Sequence, residues 1–296
     1  MQKRLIDILK PVDELQPVPT GIKSSGNPLK GMKAVIFDIY GTLLISGSGD
    51  VGTAMEAGSA ASFTAALKKT GISDIRPSTA ERIKALFFKL IDESHQRLRS
   101  EGLPFPEVDI IRIWSDIIDS RDIRERLPEI STIEPEIAAS TYESVVNPVY
   151  PMPGAFELLE SLKKKGFKLG IVSNAQFYTP IIFDSIYKQG IIGMGFEPPL
   201  CLYSYIEKRS KPDTVLFSKL NSGLSRFGIS ASETIFVGND MLKDIMPSAL
   251  SGYKTALFAG DKRSLRLRAD DDACRNIKPD VIVNKLLDLI DYIQEG

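Results

Sequence analysis

Short apolar segments that alternate with helical patterns constrain the fold of this chain more than any other feature. The segments at 32–37 (MKAVIF) and 168–172 (KLGIV) are continuous apolar runs with β-branched residues, which is typical of buried strands. Between the strands, apolar residues recur at three- and four-residue intervals, which predicts helices. This alternation favours right-handed crossovers and therefore a doubly wound, parallel α/β sheet. The predicted strands are 32–37, 168–172, 200–203, 234–237, 253–258 and 280–283, and the predicted helices are 154–165, 180–188, 212–227, 241–250 and 284–294.

A long helical insertion interrupts the alternation after the first strand. A strand–helix–strand unit takes roughly 30 residues, whereas Asp38 and Ser173, which each end a strand, are more than a hundred residues apart. Helical periodicity fills the interval, for example at 78–100. We expect an α-helical cap over the strand ends that excludes water and selects substrates; a purely structural bundle is the alternative. The predicted division is an N-terminal extension at 1–31 with an extended arm, an α/β core at 32–45 and 151–296, and the cap at 46–150.

Composition and charge narrow the classes of partner. The formal net charge of −1 argues against broad electrostatic capture of nucleic acid. Cys201 and Cys274 are far apart and outside any disulfide or zinc pattern, which favours a reducing compartment. The N-terminus lacks the apolar core of a signal peptide, and no segment approaches the roughly 20 apolar residues that span a bilayer. We expect a cytoplasmic protein with a small-molecule substrate, a local anion site, and no nucleic-acid or membrane partner.

Polar side chains follow the predicted strands at their carboxyl ends, where open α/β sheets bind ligands. Asp38 comes directly after the first strand and before a turn at Gly41 and Thr42. Ser173 ends the second strand and is followed by Asn174. The hydroxyl of Ser173 can donate to a phosphoryl or carboxylate oxygen, and backbone N–H groups near a strand end can bind an anion. Turn capping at Asp38 and ordinary loop chemistry at Ser173 are the alternatives.

A lysine and two carboxylates follow the later strands. Lys211 precedes Pro212, a residue suited to the first position of a helix, so the lysine charge would lie near a helix N-terminus and favour an anion. A solvated surface lysine is the alternative. Asp240 and Asp244 follow the strand at 234–237. Two such carboxylates beside the first strand end could hold Mg²⁺, which prefers a few oxygen ligands, although Asp244 could instead orient its neighbours.

The segments DIYGTL, VSN, KP and GNDMLKD resemble, in this order, the motifs of the haloacid dehalogenase-like hydrolase superfamily. The resemblance covers nearly the whole chain after about residue 32 and implies a Rossmann-like core with a helical cap. It implies that Asp38 attacks the substrate, that Ser173 and Lys211 bind the transferring phosphoryl group, and that Mg²⁺ is the cofactor. The implied catalytic residues are Asp38, Tyr40, Ser173 and Lys211, the substrate-binding residues Gly41, Thr42, Ser173, Asn174 and Lys211, and the metal ligands Asp38, Tyr40 through its carbonyl, Asp240 and Asp244.

Tyr40 departs from the pattern of most phosphatases in this superfamily, which carry a second aspartate two residues after the nucleophile as general acid and base. A phenol with a pKa of about 10 could protonate a leaving alkoxide but is a poor base for activating water. A tyrosine in DxYGTL resembles the metal-independent 2-haloacid dehalogenases, in which the aspartate displaces halide from carbon. That chemistry needs a cationic cradle, for which the sequence offers Lys68, Lys69, Arg76 and Arg82.

Three functions therefore stay open. A Mg²⁺-dependent phosphatase of a small phosphorylated metabolite, acting through an aspartyl-phosphate on Asp38, is favoured because an acidic pair beside Asp38 suits a cation. A 2-haloacid dehalogenase-type hydrolase is the second. A non-catalytic sensor of phosphate ligands is the third, and the intact Asp38 argues against it. Either Asn239 or Asp240 could lead the acidic motif; Asp240 is preferred because a carboxylate is the better Mg²⁺ ligand.

Other features receive no catalytic role. His95, the only histidine, lies in a predicted helix without a motif around it. Phe87, Phe88 and Trp114 are predicted to be cap core. The basic run at 262–268 (KRSLRLR), followed by three aspartates, mixes signs within a few residues and predicts a solvated surface segment.

Overall fold

A seven-stranded sheet forms the centre of the computed structural model, which describes residues 1–49 and 58–295. The strands of the described residues, seven of which form this sheet, are β1 (Ser25–Gly26), β2 (Leu29–Met32), β3 (Ala34–Phe37), β4 (Leu44–Ser46), β5 (Val149–Pro151), β6 (Lys168–Ser173), β7 (Phe196–Tyr203), β8 (Thr234–Gly238), β9 (Lys254–Phe258), β10 (Val281–Val283) and β11 (Ile293–Glu295). The order across the sheet is β1-β10-β9-β8-β3-β6-β7, and every neighbouring pair is parallel except β1 with β10. The predicted α/β class is confirmed.

Helices cover the sheet and fill the long insertion. They are α1 (Gln2–Leu9), α2 (Ala60–Lys69), α3 (Pro77–Ser100), α4 (Ile110–Asp119), α5 (Arg121–Arg126), α6 (Pro135–Val146), α7 (Ala155–Lys164), α8 (Tyr178–Tyr187), α9 (Gly190–Gly193), α10 (Ser204–Glu207), α11 (Thr214–Ser225), α12 (Met246–Leu250) and α13 (Leu289–Tyr292). A π-helix at Met241–Ile245 leads into α12, and 3₁₀ turns lie at Pro128–Thr132, Ala231–Glu233 and Leu286–Asp288. Across 1–49 and 58–295, no helix is a candidate for crossing a membrane.

The register of the three central strands positions the candidate site. β3 lies between β6 and β8, and all four of its residues are buried. Phe37, its last residue, pairs with Ile171 of β6 and Val237 of β8. Because these parallel strands end at the same edge of the sheet, the loops that follow them converge there. This register explains why Asp38 lies near the residues that follow the other strands, as the sequence predicted.

Helices α2 to α6 lie between β4 and β5, which pair antiparallel as a two-stranded ribbon. An aromatic cluster holds these helices together: Phe63 stacks on Tyr142 at 4.4 Å between ring centroids, and Phe87 and Trp114 lie 5.2 and 5.7 Å from Tyr142. The described part of this insertion is helical. The division into a cap at 46–150 and a core stays a prediction, and residues 50–57 of that range lie outside the described residues.

The N-terminal extension contains more structure than its sequence pattern indicates. α1 buries Leu5 and Leu9 against α6 and α8. The following arm is extended, and Val18 donates its backbone N–H to the carboxylate of Asp261 at 3.0 Å. β1 then adds an antiparallel edge strand to the sheet. These contacts are all made to distant parts of the chain, so local periodicity did not indicate them.

Two predicted helices begin or end at the wrong residue. The helix predicted from Pro212 begins at Thr214, because Asp213 caps it by accepting a hydrogen bond from the N–H of Val215 at 3.0 Å. Pro212 is therefore not the first helical residue. The helix predicted at 284–294 is divided into a 3₁₀ turn and α13, and the chain continues as β11, which pairs with β2.

Candidate active site

Asp38 lies at the end of β3 and is 7% exposed. Its backbone N–H donates to the carbonyl of Val237 at 2.9 Å, which continues the sheet by one residue. Its side-chain Oδ1 accepts a hydrogen bond from Lys211 Nζ at 2.7 Å. From the described residues no hydrogen bond reaches Oδ2. One carboxylate oxygen is thus fixed, and the other is available for a reacting group.

Lys211 is 3% exposed, and its ammonium group bridges two carboxylates. Nζ lies 2.7 Å from Asp38 Oδ1 and 2.5 Å from Asp244 Oδ1. Burial alone lowers the pKa of the lysine, but the charges of Asp244 and Asp38 outweigh burial, and the pKa is raised. Lys211 therefore carries its positive charge directly against the carboxylate of Asp38.

Asp244 holds this lysine in place from the other side. Its Oδ2 accepts the backbone N–H groups of Asn239 and Asp240 at 3.0 and 2.9 Å, while Oδ1 binds Lys211. Burial raises the pKa of Asp244, and the positive charge of Lys211 opposes this shift. Both oxygens of Asp244 are engaged, so its contacts are those of an orienting residue.

Asp240 pairs with an arginine that lies 28 residues further along the chain. Arg268 contacts it in a bidentate manner, with Nη2 at 2.6 Å from Oδ2 and Nε at 3.1 Å from Oδ1. Oδ1 also accepts the N–H groups of Leu242 and Lys243 and so caps the π-helix. A planar guanidinium in this arrangement forms one of the stronger ion pairs in proteins.

Asn239, the other candidate for the leading position of the acidic motif, links loops instead. Its amide donates to the carbonyl of Ser264 at 2.6 Å, and its oxygen accepts the hydroxyl of Thr42 at 3.2 Å. Gly41 lies against the same pair: its φ is +79°, and a Cβ there would come within 2.4 Å of Ser264 Cβ and 2.7 Å of Asn239 Nδ2. Only glycine fits this turn.

A small cavity in front of Asp38, here called the Asp38 cavity, brings most of the predicted site residues together. Its volume is about 30 Å³, and its lining is Asp38, Tyr40, Gly49, Asn174, Lys211, Asn239, Asp240, Lys243, Asp244, Ser264 and Arg266. Gly41, Thr42 and Ser173 do not line it. Ser173 is 1% exposed, with its hydroxyl 3.5 Å from the carbonyl of Asn174. These three residues support the walls of the cavity.

Asn174 lines the Asp38 cavity and fixes the backbone of Lys211. Its Oδ1 accepts the N–H of Lys211 at 2.6 Å, and its Nδ2 donates to the Lys211 carbonyl at 3.2 Å. Two hydrogen bonds to one peptide position hold the lysine at a set distance from β6. The asparagine predicted to bind substrate therefore makes the contacts of a positioning residue.

The phenol of Tyr40 contacts α8, and Tyr40 also lines the Asp38 cavity. Its hydroxyl shares a hydrogen bond of 2.8 Å with Thr179 Oγ1 of α8. Burial raises the pKa of Tyr40 well above its usual value, and the charge of Glu143 adds to this shift. Tyr40 is therefore a neutral phenol over the working range of pH.

Arginines of the segment 262–268 are site residues that the sequence interpretation missed. The prediction of a solvated segment was wrong for Arg266, which lines the Asp38 cavity, and for Arg268, which pairs with Asp240. Ser264, in the same segment, has a buried hydroxyl with no hydrogen-bond partner in the described part of the chain. No local motif marks these residues. The predicted cradle candidates Lys68, Lys69, Arg76 and Arg82 do not line the cavity.

A second cavity, of about 310 Å³, adjoins the first and is here called the apolar cavity. Asn174, Lys211 and Lys243 line both cavities. The remaining walls come from α3, α4 and α6, from the loops that follow β6 and precede α4, from Tyr178 of α8 and from Ser210. Phe87, predicted to be cap core, and His95, which received no role, lie in this wall. The helical insertion therefore borders the space beside Lys211.

Comparison with known proteins identifies relatives in one superfamily. A family model described as haloacid dehalogenase-like hydrolase matches residues 32–252. The chain is 29% identical over 142 residues to a ribulose-1,5-bisphosphate 5-phosphatase of Halopiger xanaduensis, covering 48% of this chain and 56% of the relative. It is 26% identical over 166 residues to a glyceraldehyde 3-phosphate phosphatase of Methanocaldococcus jannaschii, covering 52% and 61%. The matches thus span little more than half of each relative.

The solved structure of a 2-haloacid dehalogenase from Pseudomonas syringae pv. Tomato DC3000 is similar in fold. The TM-score is 0.51 at 19% sequence identity, and the match covers 88% of this chain and 97% of the dehalogenase. At this identity the similarity concerns the fold alone. The motif order, the central sheet and the family model agree on one superfamily.

Proposed function

This chain belongs to the haloacid dehalogenase-like hydrolases, and from that membership we propose that it is a Mg²⁺-dependent phosphatase of a small phosphorylated metabolite. The observation that carries the proposal is the pairing of Asp38 with a buried, charged Lys211, which leaves Asp38 Oδ2 without a hydrogen bond from the described residues. A carboxylate held in this way beside a fixed positive charge suits attack on an anionic phosphoryl group. The names of the two curated relatives support the same choice.

In the proposed reaction, Asp38 Oδ2 forms a bond to phosphorus while the bond between phosphorus and the ester oxygen breaks. Lys211 stabilises the charge on the transferring phosphoryl oxygens, and Asn174 holds Lys211 in position through its backbone. The unpaired hydroxyl of Ser264 is a further donor at the same cavity. Water then cleaves the aspartyl-phosphate and restores Asp38, so that one ester and one water give one alcohol and one phosphate.

Tyr40 limits the acid–base chemistry that this site can perform. Its raised pKa keeps the phenol protonated, so it can donate a proton to a leaving alkoxide but cannot act as the base that activates water. Losing a positioned base typically costs about 10²–10⁴ in rate. We therefore expect hydrolysis of the aspartyl-phosphate to be the slow step.

The donor set fits Mg²⁺ in its chemistry. Asp38, Tyr40 and Asp240 line one cavity, and Mg²⁺ is commonly bound by one or two carboxylates plus waters. Arg268 binds both oxygens of Asp240 in this structure, so Mg²⁺ would have to displace that guanidinium. Among the described residues no group of three or more acidic, histidine or cysteine side chains forms a metal cluster. Bound Mg²⁺ would neutralise charge on the phosphoryl group. Asp244 orients Lys211 in this proposal and is not a ligand.

Hydrolysis of a 2-haloacid is the second candidate, and the cationic lining of the Asp38 cavity favours it. Lys211, Lys243 and Arg266 line this cavity, so positive charge is available for a carboxylate and a departing halide. Halide leaves as a stable anion and needs no acid, which suits Tyr40. The phosphatase is preferred because Asp240 and Asp38 place two carboxylates at the same cavity, where an anionic substrate alone would not need them.

The test measures phosphate release from an aryl phosphate and halide release from a short 2-haloacid, each with Mg²⁺ and with chelator. An aryl leaving group needs little protonation, so Tyr40 does not mask the activity. We expect Mg²⁺-dependent phosphate release that is lost in Asp38→Asn. Halide release that resists chelator would replace the phosphatase with the dehalogenase. Release of neither product would favour a ligand sensor or an enzyme of narrow specificity.

A further inference from the structure

The walls of the apolar cavity are built mainly from hydrocarbon. Ile91 of α3, Ile110 of α4 and Val146 of α6 face it, together with the aromatic rings of Phe87 and Tyr142. All five residues are buried. Removing apolar surface of a ligand from water into such a wall is favourable in proportion to the area covered. This cavity can therefore bind an apolar group next to Lys211.

The acidic groups in the wall already have internal partners. Glu107 accepts hydrogen bonds from Gln176 Nε2 at 2.9 Å and from Ser204 Oγ at 2.6 Å. Glu143 accepts from Asn147 Nδ2 and from the hydroxyl of Tyr178, both at 2.9 Å. A ligand hydroxyl that faces the hydrocarbon part of this wall would lose its hydrogen bonds to water without a replacement, which weakens binding.

Besides the two glutamates, the wall contains the polar residues His95, Arg99, Asn174, Gln176, Ser210, Lys211 and Lys243, and the hydroxyl of Tyr142, which is buried without a hydrogen-bond partner among the described residues. Lys211 and Asn174 form the end that meets the Asp38 cavity. Arg99 is exposed, so its guanidinium lies where the cavity opens to water. Between these ends the cavity has a volume of about 310 Å³. Small-molecule sites typically measure about 300–1,000 Å³, so this space suits a compact group.

We propose that the substrate is a phosphate monoester of a compact, mainly apolar alcohol, aromatic or branched, and not of a polyhydroxylated sugar. The inference rests on the proposed phosphatase function and specifies its substrate class. The phosphoryl group lies in the Asp38 cavity, and the alcohol part enters the apolar cavity. A polyhydroxylated alcohol of the same size would meet mostly hydrocarbon there, and the carboxylates of Glu107 and Glu143 already accept hydrogen bonds from the protein.

The test compares kcat/KM for 2-phenylethyl phosphate with that for glyceraldehyde 3-phosphate and ribose 5-phosphate, using the full chain with Mg²⁺. An aryl phosphate with Asp38→Asn as control reports on the phosphatase function by itself. We expect 2-phenylethyl phosphate to be preferred by at least about tenfold. Asp38-dependent hydrolysis of the aryl phosphate with an equal or greater kcat/KM for the sugar phosphates would overturn the substrate class and leave the function intact. No hydrolysis of any ester would overturn both.

Two variants connect the preference to the apolar cavity. Ala139, on α6, lines it, so Ala139→Leu should fill part of the space and lower the ratio of kcat/KM for 2-phenylethyl phosphate over methyl phosphate by about tenfold. Ile110→Ala should enlarge the space and raise the ratio for 2-naphthylethyl over 2-phenylethyl phosphate, and it keeps the test open if Ala139→Leu does not fold. The matched control is Ile118→Ala, a buried isoleucine of α4 outside the lining, which should change neither ratio. Unchanged ratios in both cavity variants would overturn the assignment.

Discussion

The two adjoining cavities are built on opposite principles. In the Asp38 cavity, charged side chains are held by fixed partners: Lys211 by two carboxylates, Asp240 by a guanidinium, and Asp244 by two backbone N–H groups. In the apolar cavity, hydrocarbon from three helices and from the loop before α4 forms much of the wall. The comparison indicates that the charged groups are positioned by the ends of sheet strands, whereas under the proposed function helices of the insertion would contact the alcohol part of the substrate.

The largest expected effect comes from removing the reacting carboxylate. Asp38→Asn keeps the shape of the side chain but eliminates a nucleophile, so we expect kcat for an aryl phosphate to fall by at least about 10³-fold. Asp92→Asn, on the exposed surface of α3, is the matched control and should retain activity. Circular dichroism checks that both variants are folded. If Asp38→Asn turned over at the wild-type rate, Asp38 would not be the nucleophile, and the Asp38 cavity would lose its proposed role as the place of reaction.

The next effect concerns the stability of the charged cluster. Lys211→Met leaves Asp38 and Asp244 buried without their shared cation, and breaking a buried pair in this way typically costs about 3–5 kcal/mol of unfolding free energy. Lys168→Met removes a lysine from the more exposed pair with Glu197 and should cost at most about 1 kcal/mol. Urea denaturation measures both. Equal losses would mean that burial of the Lys211 cluster has no special part in holding the Asp38 cavity together.

Arg268 provides the third way to test the charged region. In the structure its guanidinium occupies the carboxylate that we propose as a Mg²⁺ ligand. Arg268→Gln removes a positive charge that repels the ion, and we expect the affinity for Mg²⁺ to rise about tenfold, or about 1.4 kcal/mol. Titration calorimetry with Mg²⁺ measures this without substrate. Arg209→Gln, which loosens the ion pair with Asp213, should leave the affinity unchanged.

An unchanged Mg²⁺ affinity in Arg268→Gln would contradict the assignment of Asp240 as a ligand. The ion would then rest on Asp38 and on carbonyl oxygen, and the helix-capping bonds of Asp240 to Leu242 and Lys243 would be its role. That outcome would also favour hydrolysis of a 2-haloacid, which is the reaction expected to resist chelator. Calorimetry and the chelator assay are therefore two separate tests of Asp240 as a Mg²⁺ ligand.

The sequence predicted the charged region well because its residues directly follow strands. Asp38, Ser173 and Asp240 could be placed at one edge as soon as parallel strands were recognised, since register fixes where strand ends meet. The contact of Lys211 with Asp244 is consistent with the motif order. The motifs did not predict the direction of each side chain. Thr42 and Ser173, for example, support the walls of the Asp38 cavity without lining it.

The apolar cavity and the N-terminal segment could not be predicted for a different reason. Helical periodicity identifies which face of α3 or α6 is apolar, but it does not distinguish a face that fills a core from one that borders a space. The pairing of Arg268 with Asp240 and of β1 with β10 joins residues that are distant in the sequence. Such contacts leave no local pattern, and a two-residue strand such as β1 has no period at all.

The smallest expected effect tests whether the apolar cavity also contains a pH-sensitive contact. Burial raises the pKa of Glu107 from its ordinary 4.5 to about 7, although hydrogen bonds from Ser204, Val108 and Gln176 oppose the shift. The folded chain therefore holds a proton that the unfolded chain has released between these two values. The contribution to stability is complete below about pH 4.5 and is lost as the pH rises through about 7.

Glu107→Gln replaces the carboxyl with a neutral amide of the same shape and should remove the pH-dependent contribution of Glu107 to the unfolding free energy. We expect the difference in unfolding free energy between pH 5.5 and pH 8 to shrink by on the order of 1 kcal/mol relative to wild type, since Glu107 keeps some exposure. Glu125→Gln, at an exposed position of α5, is the control and should show the wild-type pH dependence. An unchanged pH dependence in Glu107→Gln would mean that this carboxyl is solvated in the folded protein. The wall of the apolar cavity would then contain an accessible acceptor, which would weaken the case against polyhydroxylated substrates.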